Sequence, residues 1–225
     1  MTSKIRLLRF GLLVAALLLL AALAAPAGYK ARPWNPRPIE SYPARLVSEG
    51  VTIAVDPLFT DALAAQVFDK PDIVARGIMP LAIIIFNSND FPIDVEGKSI
   101  ELLQQEDRIH SVDPLFAVQC IYASKPASKV PIRSPIPLPK ITIMKSHAEA
   151  CGDFKEKSFT LLKRVEPHGT AGGFLFIQVH NAASLRKTLS ESKVYIPNIY
   201  RGDNGKGLLY FEIELKPAID AAPQK

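Results

Sequence analysis

The sequence predicts a mainly β fold: an immunoglobulin-like antiparallel β-sandwich with one or two short helices and a proline-rich loop, preceded by an N-terminal hydrophobic helix. Three observations favour this fold. About seven segments are apolar or alternate apolar with polar residues, turn-forming residues separate them, and helical spacing is rare. The chain has 225 residues, of which 48% are hydrophobic and two are cysteines. This length supports a core without cross-links, and two cysteines exclude a disulfide scaffold or a cysteine-rich zinc module.

The first 27 residues are typical of a targeting segment. Residues 1–9 carry three basic and no acidic side chains, and residues 10–25 carry no charge. An A-x-A arrangement ends at Ala24 and another at Ala27, as signal peptidase requires. The alternative is an uncleaved anchor, because the apolar stretch is just long enough to span a bilayer. We expect an exported domain, either periplasmic or anchored to the inner membrane and facing the periplasm, with the cleaved signal slightly favoured.

Residues 28–45 follow as a proline-rich segment. Repeated proline favours an extended, polyproline-type backbone with few internal contacts. We therefore expect this segment to be a spacer that holds the folded domain, residues 46–225, away from the membrane.

The basic charge lies almost entirely before the domain. Of the formal net charge of +5, the first 45 residues contribute +6 and residues 46–225 contribute −1. A nucleic-acid-binding domain needs clustered basic residues on its folded surface. The charge distribution therefore argues against nucleic acid as a partner.

The domain is expected to consist mostly of strands joined by turns. Apolar alternation or an unbroken apolar run marks each strand, and glycine, asparagine and aspartate mark the turns between them. In chain order, strands are predicted at residues 51–55, 79–86, 91–95, 100–103, 159–165, 173–179, 193–200 and 209–215.

Helices are expected in three places. Thr60 or Asp61 is suited to cap a short helix that follows it, and Asp113 with Pro114 is a good start for another. A third helix is expected over residues 146–157. Five prolines between residues 125 and 140 exclude both a helix and a central strand, so this segment is expected to be an extended surface loop.

Two segments resemble known β-sandwich families. Residues 79–95, an apolar strand that runs into Asn-Ser-Asn and a Phe-Pro-Ile return, resemble the signature of late-embryogenesis-abundant, water-stress-type domains, with Ser88 in place of that family's proline. Residues 166–176 are similar to the turn and glycine-aromatic strand of telokin-like, immunoglobulin-fold envelope domains, with His168 inserted between the proline and the glycine. The resemblance implies a β-sandwich fold and an envelope setting, and it implies no catalytic residues.

No motif in the sequence predicts catalysis, a cofactor or a metal site. A G-x-S-x-G elbow, a phosphate-binding loop and a dinucleotide fingerprint are missing from the sequence. No two of the four histidines are spaced as metal ligands on one element: His110, His147, His168 and His180. We therefore expect a non-catalytic protein with a binding or structural role. An envelope hydrolase with a loop-borne active site and a carrier of apolar ligands are the alternatives.

Two sets of residues are candidates for a functional role. Cys120 and Cys151 would lie in an exported, oxidising setting, where they form either a disulfide or two buried free thiols. The proline-rich loop has an unopposed positive charge that suits an envelope protein or an anionic lipid. The basic residues expected to make this contact are Lys125, Lys129, Arg133, Lys140 and Lys145. An uncleaved N-terminal segment would add the membrane itself as a partner.

Overall fold

The computed structural model describes residues 28–123, 147–159 and 161–223. These residues form a mainly β fold with 11 strands, all paired antiparallel, in three sheets. The predicted fold class is confirmed. In the described part of the chain, no helix has both the length and the apolar content needed to cross a bilayer. The predicted leader, residues 1–27, lies outside the described residues.

The first sheet contains the centre of the core. Its strands, in the order β1-β2-β3-β8, are β1 (Arg45–Ser48), β2 (Val51–Pro57), β3 (Ile78–Asn87) and β8 (Thr170–Gln178). Every residue of β3 except Phe86 is buried. The apolar run that predicted a strand covered on both faces is therefore confirmed.

The other two sheets are built from shorter strands. One has the order β10-β4-β7 and contains β4 (Ile93–Glu96), β7 (Leu162–Val165) and β10 (Ile199–Arg201). The other has the order β11-β9-β5-β6 and contains β5 (Glu101–Gln104), β6 (Asp107–His110), β9 (Lys193–Ile196) and β11 (Phe211–Glu214).

Five short α-helices lie among the described residues, three of them at the places where the sequence predicts a helix. They are α1 (Asp61–Ala64), α2 (Pro114–Tyr122), α3 (Ala148–Glu156), α4 (Leu185–Ser190) and α5 (Lys216–Ala221). Two predicted caps are confirmed. The Thr60 hydroxyl accepts a hydrogen bond from the Leu63 amide at 3.2 Å, and Asp113 Oδ1 accepts one from the Leu115 amide at 2.8 Å.

The strand predicted over residues 193–200 is divided into two strands that belong to different sheets. Pro197 and Asn198 lie between β9 and β10. Proline has no amide hydrogen to donate to a β-ladder, and the Asn198 carbonyl accepts from the Glu96 amide at 3.2 Å instead. The break therefore moves the chain from the third sheet to the second.

Residues 28–45, which we call the arm, lie along the domain instead of standing away from it. Ile39, Tyr42 and Ala44 are buried in the same core as the strands. The expectation of a spacer with few contacts is corrected by this packing. Three residues of the arm, Ile39–Ser41, form a 3-10 helix, and the apolar and aromatic residues of the arm bury enough surface to hold it in place.

Candidate functional site

The arm begins at a buried ion pair. Asp153 and Lys157 lie one helical turn apart at the end of α3, and their side chains are 3% and 8% exposed. Lys157 Nζ donates to Asp153 Oδ1 and to the carbonyl of Val67 at 3.3 Å. The Tyr29 hydroxyl donates to the other carboxylate oxygen, Oδ2. Burial, and then Asp153, raise the pKa of Tyr29, so the phenol stays protonated and keeps its donor role.

Asp69 fixes the next residues of the arm. Its Oδ2 accepts from the Lys30 amide at 2.9 Å, and its Oδ1 accepts from Arg32 Nη2 at 2.6 Å. Arg32 also donates to the carbonyl of Ala65. The hydrogen bond from the Lys30 backbone, and then that from Arg32, lower the pKa of Asp69. The arm is therefore attached from its second described residue onward.

Lys70, the residue after Asp69, contacts Tyr122, the last residue of α2, which lies just before the segment 124–146. Its Nζ lies 5.3 Å from the centroid of the Tyr122 ring, and that ring stacks on His147 with centroids 3.6 Å apart. Arg76 Nη1 donates to the carbonyl of Ala123 at 2.9 Å. Burial, and then Lys70, lower the pKa of His147. Residues 122 and 147 are thus held together, so the segment between them leaves and returns at one place.

The start of the arm and the two ends of the segment 124–146 share one side of the domain. Asp69 binds the arm and Lys70 binds Tyr122, and consecutive Cα atoms are only about 3.8 Å apart. We call this surface the junction face and define it by Tyr29, Asp69, Lys70, Tyr122 and His147. The chain before Gly28 and the segment 124–146 therefore both leave the domain from the junction face.

The predicted basic contact residues lie outside the described residues. They are Lys125, Lys129, Arg133, Lys140 and Lys145, and the structure shows only where their segment is attached.

Cys120 and Cys151 lie on α2 and α3, two helices that pack against each other. Both thiols are free and buried. Burial raises the pKa of Cys120 to about 11 and also raises the pKa of Cys151. A bridge between them stays a prediction.

Sequence reasoning missed the residues that attach the arm. The signal for Asp153 and Lys157 was their i,i+4 spacing on a predicted helix, which is more often a solvated pair than a buried one. Tyr29 and Trp34 were visible as aromatic residues among the prolines. Nothing in the local pattern identified their partners, because Tyr29 and Asp153 are 124 positions apart.

In the part of the chain that the structure describes, the titratable groups do not gather into a metal site. Within the described ranges, no cluster of three or more histidine, cysteine, aspartate or glutamate side chains is placed to hold an ion. Three of the histidines lie in separate surroundings: His147 stacks on Tyr122, His168 Nε2 is 3.0 Å from Asp90, and His110 Nε2 is 3.6 Å from Glu101.

No family model, no curated protein and no solved structure matches this chain.

Proposed function

We propose that the chain is a non-catalytic binding domain of the cell envelope, exported by residues 1–27, whose junction face lies against an anionic membrane surface. The observation that carries the proposal is the shared exit of the leader and of the basic segment 124–146 on that face. The leader, which is directed to the membrane, and the basic loop would then both contact the membrane beside the junction face.

The short connection between leader and domain supports this orientation. Tyr29 is bonded to Asp153 and the Lys30 amide to Asp69, so the chain is fixed to the domain within a few residues of Ala27. An uncleaved leader would therefore bring the junction face close to the headgroups. A cleaved leader would leave the loop as the remaining membrane contact.

The charge of the loop supports an anionic partner. The segment 124–146 contains five basic and no acidic residues. Basic side chains near an anionic membrane surface contribute on the order of 1 kcal/mol each, and the contribution falls with salt. Five such residues are enough for reversible binding without a deep pocket.

Hydrogen exchange of the full chain on vesicles tests the membrane contact. We expect amides at 66–72 and 119–123 to exchange more slowly on anionic vesicles than on neutral vesicles, because the junction face is covered only when the lipid is anionic. Salt should remove the difference. A variant in which the five basic residues of the loop are replaced by glutamine should show no difference between anionic and neutral vesicles. These residues are Lys125, Lys129, Arg133, Lys140 and Lys145.

A matched variant controls for net charge. It replaces four lysines and one arginine that are exposed elsewhere on the domain: Lys98, Arg108, Lys187, Lys206 and Lys216. This variant should keep the protection of the junction face. Equal protection in both variants, or protection that does not depend on lipid charge, contradicts the proposal. Protease accessibility in intact spheroplasts tests export separately, and a chain protected from added protease contradicts that part.

A further inference from the structure

A cleft of about 500 Å³ lies between the arm, the first sheet and α5. Its floor is a row of three residues paired across neighbouring strands, Asp56 on β2, Ala82 on β3 and Phe174 on β8. Paired residues in adjacent strands present their side chains on the same face of a sheet. The three side chains therefore form one continuous surface.

The arm contacts the two ends of this row, and Ala82 at the middle lines the cleft. The Trp34 ring packs on Phe174 with centroids 4.5 Å apart, and Arg37 Nη2 lies 3.1 Å from Asp56 Oδ2. Ala82, between them, has too small a side chain to fill the space under the arm.

The walls of the cleft combine apolar and polar side chains. Leu58, Leu63, Val67 and Ala218 supply apolar surface, and Arg37 and Asp56 supply charge. A cavity of several hundred Å³ that places a few polar groups among apolar walls is typical of small-molecule sites. This mixed lining favours a ligand with an apolar body and one polar end.

Arg37 is the group that recognises the polar end. Its guanidinium lies 4.6 Å from the centroid of the Tyr42 ring and contacts Asp56 through a single nitrogen. The side chain is 58% exposed, and among the described residues Asp56 is the one acceptor that its guanidinium reaches. A guanidinium has five N–H donors, so Arg37 can still bind a carboxylate.

We propose that the cleft binds a small amphipathic carboxylate, with its carboxylate on Arg37 and its apolar tail over Ala82 toward Trp34. This inference goes beyond the membrane contact and does not depend on it. Asp56 acts as an internal competitor, because it holds one donor of Arg37 and places a negative charge beside the carboxylate.

Trp34 is the one tryptophan of the chain, so its fluorescence reports directly on the cleft. The full chain on neutral lipid vesicles is titrated with octanoate, with octylamine and octanol as ligands of similar tail and different head. We expect a saturable change with octanoate and weaker binding of the other two. Vesicles without protein provide the partition blank.

Three variants locate the ligand. Arg37→Gln should weaken octanoate binding about tenfold or more, because a charge-assisted hydrogen bond is lost. Ala82→Leu should block the cleft, and Asp56→Asn should tighten binding severalfold. Arg108→Gln is the matched control, since it also removes an exposed arginine paired with a carboxylate, and it should change nothing.

Three results would overturn the proposal. They are no saturable change with octanoate, tighter binding of octylamine, or unchanged octanoate binding in Arg37→Gln. Arg37 is exposed, so its variant is readable even if Ala82→Leu fails to fold. The hydrogen-exchange result at the junction face is independent of each of these outcomes.

Discussion

The Tyr122 ring stacks on the His147 ring with centroids 3.6 Å apart and planes 15° from parallel. Tyr122 and His147 immediately flank residues 123–146, so this contact between two side chains holds the two ends of that segment together. The Nζ of Lys70 lies 5.3 Å from the centroid of the same Tyr122 ring. The stack therefore couples the anchoring of the basic segment to the charge state of one histidine.

We expect the stability of the domain to fall when His147 is protonated. Its pKa is lowered from the ordinary 6.5 in the folded state, first by burial and then by Lys70. The unfolded chain then binds more protons below pH 6.5, so the free energy of unfolding falls as the pH drops from 6.5 through the lowered pKa. His147→Phe keeps a ring and cannot titrate, so it should reduce this fall. Chemical denaturation at several pH values measures it, and identical profiles for parent and variant contradict the prediction.

Asp56 and Asp69 should respond to pH with opposite signs. Burial raises the folded-state pKa of Asp56 although Arg37 opposes the shift, whereas the Lys30 and Arg32 hydrogen bonds lower that of Asp69. Asp56 therefore contributes stability at low pH that is lost as the pH rises from 3.8 through its raised pKa. Asp69 contributes stability above 3.8 that is lost as the pH falls through its lowered pKa.

Relative to the parent, Asp56→Asn should gain stability as the pH rises, and Asp69→Asn should lose it. Denaturation curves from pH 3 to pH 7 give both differences. If the stability of both variants relative to the parent changed in the same direction with pH, the prediction of opposite pKa shifts would be wrong.

Lys157 and Asp153 are expected to contribute to the free energy of unfolding as a coupled pair, because each charge compensates the other in a buried site. Lys157→Met should lower the free energy of unfolding by about 3–5 kcal/mol, because it removes the cation that compensates the buried Asp153 carboxylate and leaves that carboxylate the neutral Tyr29 hydroxyl as a donor. The double variant Asp153→Leu with Lys157→Met should be destabilised less than Lys157→Met alone. Urea unfolding of the single and double variants completes the cycle. A double variant that loses the sum of both single effects would contradict a coupled buried pair.

Two glycines should respond differently to alanine. A Cβ on Gly97 would overlap the carbonyl oxygen of Phe159, a backbone atom that cannot move aside without disturbing the hydrogen bond from the Phe159 amide to the Phe174 carbonyl. Gly97→Ala should therefore destabilise the domain severely. Gly152 lies on α3, and a Cβ there would have nothing within 4 Å, so Gly152→Ala should stabilise the domain by about 0.5–1 kcal/mol. Thermal unfolding of both variants measures the contrast, and equal effects would contradict the packing at Gly97.

The two cysteines give a prediction that depends on the proposed export of the chain. We expect mass spectrometry to find a Cys120–Cys151 bridge in chain isolated from the envelope. A cross-link closing about 30 residues contributes on the order of 3–4 kcal/mol in the chain-entropy description. If the thiols stay reduced, burial and the raised pKa of Cys120, about 11, should make its alkylation slow in the folded chain. Free thiols both with and without added reductant would contradict the bridge.

The strands that carry the core were predictable because their signal is local. The apolar run of β3 and the alternation of β2 and β11 each report burial directly along the chain. β1 gave no such signal: it is an edge strand whose residues are mostly exposed, with Val47 64% exposed. A strand held by pairing alone, without a buried face, leaves no periodic pattern in the sequence.

The arm and the cleft were not predictable for a different reason. Proline content predicted an extended backbone in residues 28–45, which contain a 3-10 helix at Ile39–Ser41, but backbone conformation does not determine what the side chains contact. Trp34 reaches Phe174 and Arg37 reaches Asp56 only after the sheet has assembled. Ala82 is an ordinary alanine in an apolar run until its two cross-strand neighbours are known. The junction face likewise depends on the loop at 65–77, which carries no motif.

The docking of the arm also sets an order of events during synthesis. Tyr29 and Trp34 leave the ribosome early, but their partners Asp153 and Phe174 follow more than a hundred residues later, so these two contacts of the arm cannot form for most of translation. Contacts this distant in sequence slow folding and leave apolar surface uncovered in the meantime. The arm is therefore among the last parts of the domain to reach its final position, although it is among the first to be made.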